Sequence, residues 1–194
     1  MAAVQTTGHP SDGLLQRLAA AGIAAQRLGG IRLLILDVDG VLTDGGITYG
    51  DGPLETKTFD VKDGLGLRLL ADTGVTVSAI TGRASAAVRR RGRELGIAPL
   101  LDGVSDKTAA LQELLETTGV PPELAAAVGD DLPDLAVMRR VGIAFAAADA
   151  HPVVRQRAHA VTEAAGGRGA VREICDAVLK ARGCWDEIIA RYDR

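Results

Sequence analysis

Short apolar segments alternate with helical patterns along most of the chain, and this alternation limits the possible folds more than any other feature. Residues 31–36 (IRLLIL) are apolar apart from Arg32, as is typical of a strand buried on both faces. Similar runs and helical patterns follow in turn, the runs at 75–80, 125–128 and 143–146 and the helices at 65–71, 85–95, 107–117, 134–141 and 170–180. This order predicts an α/β fold: a doubly wound, Rossmann-like parallel sheet with helices on both faces.

Two regions lie outside the alternation. Residues 46–49 and 55–59 are rich in β-forming residues around the turn sequence GDGP at 50–53, which predicts a projecting β-hairpin. The first 30 residues are predicted to be an extension of one domain that spans residues 31–194. Within it, residues 1–10 are small and polar and are not expected to form regular structure, whereas 11–28 show an amphipathic helix that ends at Gly29-Gly30.

Charge and cysteine usage exclude some classes of partner. A net charge of −3 gives no reason to expect nucleic acid or an anionic membrane. The arginines at 89, 90, 91 and 93 point in different directions around a helix, which favours a solvated surface with local ion pairs. Cys175 and Cys184 lie nine residues apart in one predicted helix and are not placed to form a disulfide. No membrane-spanning run or secretory leader is apparent, so a reducing cytoplasmic location is expected.

Polar residues follow three of the predicted strands. Residues 37–44 (DVDGVLTD) follow the first, 81–83 (TGR) the second and 129–134 (GDDLPD) the third, while Lys107 opens a helix between the last two. Because ligands of doubly wound sheets bind beyond the carboxyl ends of the strands, these segments are expected to meet in one site.

The residue types in this set suit the hydrolysis of a phosphate monoester. A phosphate dianion repels nucleophiles, and a magnesium ion, a lysine and backbone amides can neutralise it. Asp37 and Asp130 can supply hard oxygen ligands, and a carboxylate can attack phosphorus. Asp39 can protonate the leaving group and then activate water. Gly40 permits a tight turn beneath the phosphate, and Thr81 and Gly82 can donate hydrogen bonds to its oxygens.

Each motif also has a structural explanation when it is taken alone. Asp-x-Asp-Gly often forms an Asx turn, Gly-Asp-Asp with Pro133 often caps a helix, and a single lysine is most often solvated. The occurrence of all four elements in this order, each at a strand end or helix start, favours the catalytic interpretation.

The ordered set resembles the four motifs of the haloacid dehalogenase superfamily, and the likeness extends from residue 31 to about residue 191. It is greatest to superfamily phosphatases that act on an eight-carbon sugar acid, an octulosonate 8-phosphate, in lipopolysaccharide precursor synthesis. Six segments carry this resemblance, namely 37–45 (DVDGVLTDG), 55–64 (ETKTFDVKDG), 80–83 (ITGR), 129–134 (GDDLPD), 149–152 (DAHP) and 166–173 (GGRGAVRE).

The resemblance implies a role for each matching residue. Asp37 would be the nucleophile and Asp39 the general acid and base. Magnesium would be held by Asp37, the backbone carbonyl of Asp39 and Asp130, with Asp131 supporting the metal shell. Lys107 would stabilise the phosphoryl group.

The resemblance also bears on assembly and substrate contacts. The gaps from Asp44 to Thr81 and from Arg83 to Lys107 are too short for a cap domain, and capless relatives are similar in forming homotetramers in which a neighbour's hairpin covers each site. In a monomer the hairpin would be unsupported and the site would be open to water, and both would be unfavourable, in agreement with that expectation. The substrate carboxylate is expected to meet Lys62, Arg83 or Arg168, although each is about as well explained by a structural ion pair. His151, before Pro152, is expected to be structural.

Three other functions stay open from the sequence. The first is a phosphatase of another acidic sugar, such as a nonulosonate 9-phosphate, and Arg83 tilts modestly against it. The second is a non-catalytic domain of the same fold, against which the intact Asp37, Asp39, Lys107 and Asp130 argue. The third is a phosphatase of polymers, which the acidic composition and the hairpin disfavour.

Overall fold

A six-stranded parallel sheet forms the centre of the molecule in a computed structural model that describes residues 9–51 and 55–194. Its strands are β1 (Leu33–Leu36), β4 (Thr76–Ile80), β5 (Leu100–Leu101), β6 (Ala125–Gly129), β7 (Ile143–Ala146) and β8 (Ala160–Val161). They are arranged in the order β5-β4-β1-β6-β7-β8, with β1 paired in parallel to both β4 and β6. The predicted doubly wound α/β fold is therefore confirmed.

Helices cover both faces of this sheet. They are α1 (Pro10–Ala20), α2 (Ala25–Gly29), α3 (Val61–Ala71), α4 (Ala86–Leu95), α5 (Lys107–Thr118), α6 (Leu135–Met138), α7 (Pro152–Arg157), α8 (Ala170–Ala181) and α9 (Trp185–Tyr192). Side chains of β1 alternate between the faces: Leu34 and Leu36 belong to a core with α3, α4 and α8, and Leu33 and Ile35 to a second core with α5, α6 and α7. This two-sided burial explains why the first strand is apolar throughout.

The hairpin is present and short. It consists of β2 (Thr48–Tyr49) and β3 (Glu55–Thr56), which pair antiparallel. Residues 52–54 of its predicted turn, like residues 1–8 of the predicted irregular N-terminus, lie outside the described residues. Between Asp44 and Thr81 the described chain forms only β2, β3, α3 and β4, so this part of the chain contains no inserted cap.

Four of the expected helices differ from their predictions, and the one expected over 134–141 covers only Leu135–Met138. The single helix expected over 11–28 is two helices, because the chain turns at Gly22 with φ +78°. The helix expected from residue 65 begins at Val61, where the Asp60 side chain accepts the Lys62 amide. Cys184 does not share a helix with Cys175; it precedes α9 in a turn after Gly183 (φ +73°). Both cysteines are free.

The two N-terminal helices pack against the rest of the chain, and the predicted division at residue 31 stays a prediction. Leu14, Leu18 and Leu28 are buried in the same core as α8. Ion pairs support this packing: Arg17 lies 2.9 Å from Glu173, and Lys180 lies 2.6 Å from Asp12. Within the described residues, no helix combines the length and hydrophobicity required to span a membrane.

Candidate active site

The carboxyl ends of β1, β4 and β6 meet at a cavity of about 700 Å³. Asp37 continues from β1, and its amide donates to the Val128 carbonyl of β6 at 3.0 Å. Most residues predicted for the site line this cavity, namely Asp37, Asp39, Thr81, Gly82, Arg83, Lys107, Asp130 and Asp131. Parallel strands place their ends at one edge of the sheet, which brings together residues up to 94 positions apart in sequence.

Lys107 lies between two buried carboxylates. Its Nζ donates to Oδ1 of Asp37 and to Oδ1 of Asp134, both at 2.6 Å. Burial alone would lower the pKa of Lys107, but the charges of the two aspartates outweigh it and raise the pKa. The lysine therefore stays protonated beside the candidate nucleophile. Asp106 caps the start of α5 by accepting the Thr108 amide at 2.8 Å, which fixes where Lys107 begins the helix.

Asp134 is a site residue that the sequence analysis did not identify. Besides Lys107, its carboxylate accepts the amides of Asp130 at 2.9 Å and Asp131 at 3.1 Å through Oδ2. Both of its oxygens are therefore already used, and it orients the loop that carries Asp130. Its spacing, four residues after Asp130 at the end of the GDDLPD segment, was the available signal.

The site contains more negative charge than the protein neutralises. Oxygens of Asp37, Asp130 and Asp134 lie within 4.8 Å of one another. Burial, followed by the charge of Asp134, raises the pKa of Asp37 to about 6. Burial, followed by the charges of Asp37 and Asp134, raises the pKa of Asp130 to about 8. Crowded carboxylates of this kind suit a small, hard divalent cation, which would relieve their repulsion.

Asp130 is the carboxylate best available to such a cation. Among the described residues, no hydrogen-bond donor contacts its side-chain oxygens. Gly40, at φ +94°, passes directly over it, and a Cβ at Gly40 would lie 2.0 Å from Oδ2 of Asp130. Only glycine permits both this backbone conformation and this close approach.

Two segments that carried the sequence resemblance contact the loop that bears Asp37 and Asp39. Gly166 donates its amide to Oδ1 of Asp149 at 3.0 Å, and Gly167 donates to the Val41 carbonyl at 2.9 Å. A Cβ on Gly166 would lie 1.8 Å from the Gly40 carbonyl oxygen. The segments at 149–152 and 166–173 therefore hold the loop that carries Asp37 and Asp39.

The hairpin supplies a second residue that the sequence analysis missed. The Nζ of Lys57 donates to Oδ1 of Asp39, and Glu55 Oε1 lies 3.7 Å from the same nitrogen. Arg83 contacts the Tyr49 hydroxyl at 2.9 Å and Glu55 Oε2 at 3.4 Å. Hairpin residues thus contact both the candidate proton donor and the candidate carboxylate-binding arginine. These contacts form only when the hairpin folds back over the strand ends, and the alternation of strands and helices along the sequence does not predict them.

Lys62 and Arg168 do not line the cavity. Lys62 is exposed at the start of α3, and Arg168 pairs with Asp44 at 3.2 Å in an exposed ion pair. Their expected contact with substrate stays a prediction. His151 has structural hydrogen bonds: its Nδ1 accepts the Val153 amide at 3.2 Å, and its amide donates to the Asp130 carbonyl at 2.7 Å.

The fold is that of a haloacid dehalogenase-like hydrolase, and the model of that family matches residues 97–174. A 3-deoxy-D-manno-octulosonate 8-phosphate phosphatase of Salmonella typhi is 52% identical over 157 residues, which cover 81% of this chain and 84% of that protein. The chain belongs to the family of 3-deoxy-D-manno-octulosonate 8-phosphate (KDO 8-phosphate) phosphatases.

Solved structures of the family agree with this membership. The Yersinia pestis phosphatase superposes with a TM-score of 0.81 at 48% identity, covering 84% of this chain and 88% of that one. The Moraxella catarrhalis phosphatase, solved in complex with magnesium, phosphate and KDO, gives a TM-score of 0.84 at 42% identity, covering 87% of this chain and 97% of that one.

Proposed function

We propose that this protein hydrolyses KDO 8-phosphate to KDO and phosphate in lipopolysaccharide precursor synthesis, with magnesium as cofactor. The observation that carries the proposal is Asp37, held 2.6 Å from Lys107 in a large cavity at the strand ends. The relatives that bear this activity in their names, one of them solved with magnesium, phosphate and KDO, indicate the substrate. Asp37, Asp130 and the backbone carbonyl of Asp39 would hold the metal.

The reaction proceeds in two steps on the residues of this chain. A carboxylate oxygen of Asp37 bonds to phosphorus as the bond from phosphorus to the sugar oxygen breaks, and Asp39 gives that oxygen a proton. Asp39 then takes a proton from water, whose oxygen attacks phosphorus and releases Asp37 and phosphate. Lys107 offsets the charge of the phosphoryl oxygens, and bound magnesium supplies further charge neutralisation.

A substrate panel tests this function directly. Purified protein with magnesium should cleave KDO 8-phosphate with a higher kcat/KM than a nonulosonate 9-phosphate or a hexose phosphate that has no carboxylate. Exhaustive chelation should abolish turnover, and added magnesium should restore it. A preference for the nonulosonate would identify the other acidic-sugar activity, and no turnover of any member would contradict the proposed function.

Arg83 is the best-placed residue for the substrate carboxylate, because it lines the cavity and its side chain is 45% exposed. We expect Arg83→Ala to lower kcat/KM for KDO 8-phosphate by about tenfold to a hundredfold, since a hydrogen bond to a charged group is lost. The kcat/KM for a sugar phosphate that has no carboxylate should fall much less. Competition kinetics with the two substrates measures the difference.

A matched control for this variant is Arg89→Ala. Arg89 is similarly exposed and also pairs with an acid, Asp102 at 2.6 Å, but it lies outside the cavity lining. We expect Arg89→Ala to leave kcat/KM unchanged for both substrates. An equal loss for both substrates in Arg83→Ala would assign Arg83 to phosphate binding or to folding instead.

We propose in addition that the protein is a cytoplasmic homotetramer in which a neighbour's hairpin helps to cover each site. Both cysteines are free thiols, as is usual in a reducing compartment. The cavity has no cap from the described residues of its own chain, and Tyr49 of the hairpin is 68% exposed. A cyclic assembly would bury such a surface without additional sequence.

Mixing two defective variants tests the shared site. One carries Asp37→Asn and an intact hairpin; the other replaces residues 50–54 with Asn-Gly, a two-residue turn that suits the Tyr49–Glu55 pairing. The second variant keeps Glu55 and Lys57, which contact their own site. Co-refolded chains should recover part of the activity that neither variant shows alone. A fully active monomer in light scattering, or no recovery despite mixed assembly in native mass spectrometry, would contradict the proposal.

A further inference from the structure

Lys57 has a fully buried side chain, and the proposed mechanism gives it no task. Its side chain is 0% exposed, whereas those of Asp39 and Glu55 beside it are 20% and 19% exposed. Removing an ammonium group from water is strongly unfavourable unless carboxylates or hydrogen bonds compensate. Lysine is therefore seldom buried without a specific partner, and its contacts indicate its role.

The contact with Asp39 is selective for one oxygen. Nζ of Lys57 donates to Oδ1 of Asp39, and this is the only hydrogen bond to that carboxylate within residues 9–51 and 55–194. Oδ2 has no protein donor in the same ranges, and Asp39 lines the cavity. One oxygen is thus held while the other remains available to a ligand.

A proton donor in this position has to be oriented accurately. It must lie within hydrogen-bonding distance of the leaving oxygen, and a displacement of about 1 Å can reduce rates by about a hundredfold. Asp39 lies on a loop just before Gly40, which has φ +94°. Its carboxylate would be free to rotate about Cα–Cβ if the lysine contact were lost.

We propose that Lys57 is a positioning residue for the general acid and base: it holds Oδ1 of Asp39 so that Oδ2 meets the leaving oxygen and then the attacking water. This inference rests on the proposed function, in which Asp39 transfers the protons.

The same contacts connect proton transfer to substrate recognition. Lys57 directly follows β3, and Glu55 in that strand lies 3.7 Å from Lys57 and 3.4 Å from Arg83. Arg83 in turn contacts Tyr49 of β2 at 2.9 Å. The base of the hairpin therefore belongs to the active site of its own chain, whatever its tip does in an assembly.

Leaving-group dependence provides the test. The proton donor matters greatly for an alkoxide leaving group and little for 4-nitrophenolate, which is stable without a proton. The value of kcat/KM reports the steps up to release of the alcohol, so it isolates formation of the phosphoenzyme. We would measure kcat/KM for KDO 8-phosphate, for a hexose phosphate, which has an alkoxide leaving group but no carboxylate, and for 4-nitrophenyl phosphate. The variants are Lys57→Met, Lys57→Arg, Asp39→Asn and Lys180→Met, and a positioning role predicts the same fold-loss on both sugar phosphates, whereas a loss confined to KDO 8-phosphate would assign Lys57 to recognition of the carboxylate.

We expect Lys57→Met to lower kcat/KM by about a hundredfold for KDO 8-phosphate and by less than about threefold for 4-nitrophenyl phosphate. Lys57→Arg keeps a cation and should show the same selectivity with a smaller loss. Lys180→Met removes a lysine that pairs with Asp12 on α1 and does not line the cavity, and it should not change kcat/KM for any of these substrates.

Equal losses of Lys57→Met on KDO 8-phosphate and 4-nitrophenyl phosphate, or no loss on KDO 8-phosphate, would overturn the positioning role. Asp39→Asn separates this failure from that of the mechanism. If Asp39→Asn lacks the leaving-group selectivity, the assignment of Asp39 as proton donor is wrong. If it shows the selectivity and both Lys57 variants do not, only the inference on Lys57 is wrong. If thermal unfolding shows that Lys57→Met does not fold, the leaving-group selectivity of Lys57→Arg alone tests the positioning role.

Discussion

Asp37→Asn should abolish phosphatase activity, with a fall in kcat of about 10⁴-fold or more, because an amide cannot attack phosphorus. The substitution keeps the size of the side chain. It also retains an oxygen that can accept a hydrogen bond from Lys107, which lies 2.6 Å from Oδ1. The loss would therefore report the missing nucleophile rather than a collapsed site.

Stability provides the internal control for this variant. Burial and the charge of Asp134 raise the pKa of Asp37 from 3.8 to about 6, so ionising this carboxyl group costs more free energy in the folded protein than in the unfolded chain. A carboxyl group with a raised folded-state pKa lowers stability as the pH rises through that range, and the amide removes this effect. Asp37→Asn without metal should consequently be as stable as the parent at pH 8, or more so.

The two measurements are kcat with KDO 8-phosphate and thermal unfolding at pH 8 with and without magnesium. Asp186→Asn, at an exposed position of α9, is the matched control and should change neither kcat nor thermal stability. Near-normal turnover in Asp37→Asn would contradict the phosphoaspartate mechanism. A large loss of stability alongside lost turnover would leave the nucleophile unidentified.

The sequence predicted those parts of the fold and site that are local. The run 31–36 is apolar because β1 is buried on both faces, and the polar residues that follow meet because parallel strands end at one edge. Asp37, Asp39, Lys107 and Asp130 were accessible to such reasoning because each lies at a strand end or helix start. The same holds for Arg83, which directly follows Thr81 and Gly82.

What the sequence did not predict depends on contacts between distant segments or on single turns. Lys57 meets Asp39 only because the hairpin folds back, and an exposed lysine has the same local pattern. Asp134 differs from the predicted site residues because both of its oxygens contact neighbours within the protein, Lys107 and two backbone amides. The N-terminal helix was predicted as one piece because the left-handed turn at Gly22 leaves the apolar periodicity on either side intact.

Lys107→Met should be the second most damaging change, lowering kcat/KM by about 10³-fold, because a cation beside the transferred phosphoryl group is lost. The side chain of Lys107 is only 8% exposed and forms ion pairs with both Asp37 and Asp134. Removing one partner from such a buried cluster leaves uncompensated charge, and we expect the metal-free protein to lose about 3 kcal/mol of stability. Lys180→Met, which also breaks an ion pair, should leave kcat/KM unchanged.

Metal binding then distinguishes a lost cation from a damaged site. Lys107 would repel a magnesium ion held by Asp37 and Asp130, so magnesium should bind Lys107→Met at least as tightly as the parent. The stabilisation by magnesium in thermal unfolding should accordingly be larger in the variant, although activity stays low. Weaker magnesium binding together with low activity would mean that Lys107 maintains the geometry of the carboxylates. Stronger magnesium binding together with low activity would mean that Lys107 acts on the phosphoryl group. The charge of the ammonium would then be needed there even when the metal is present.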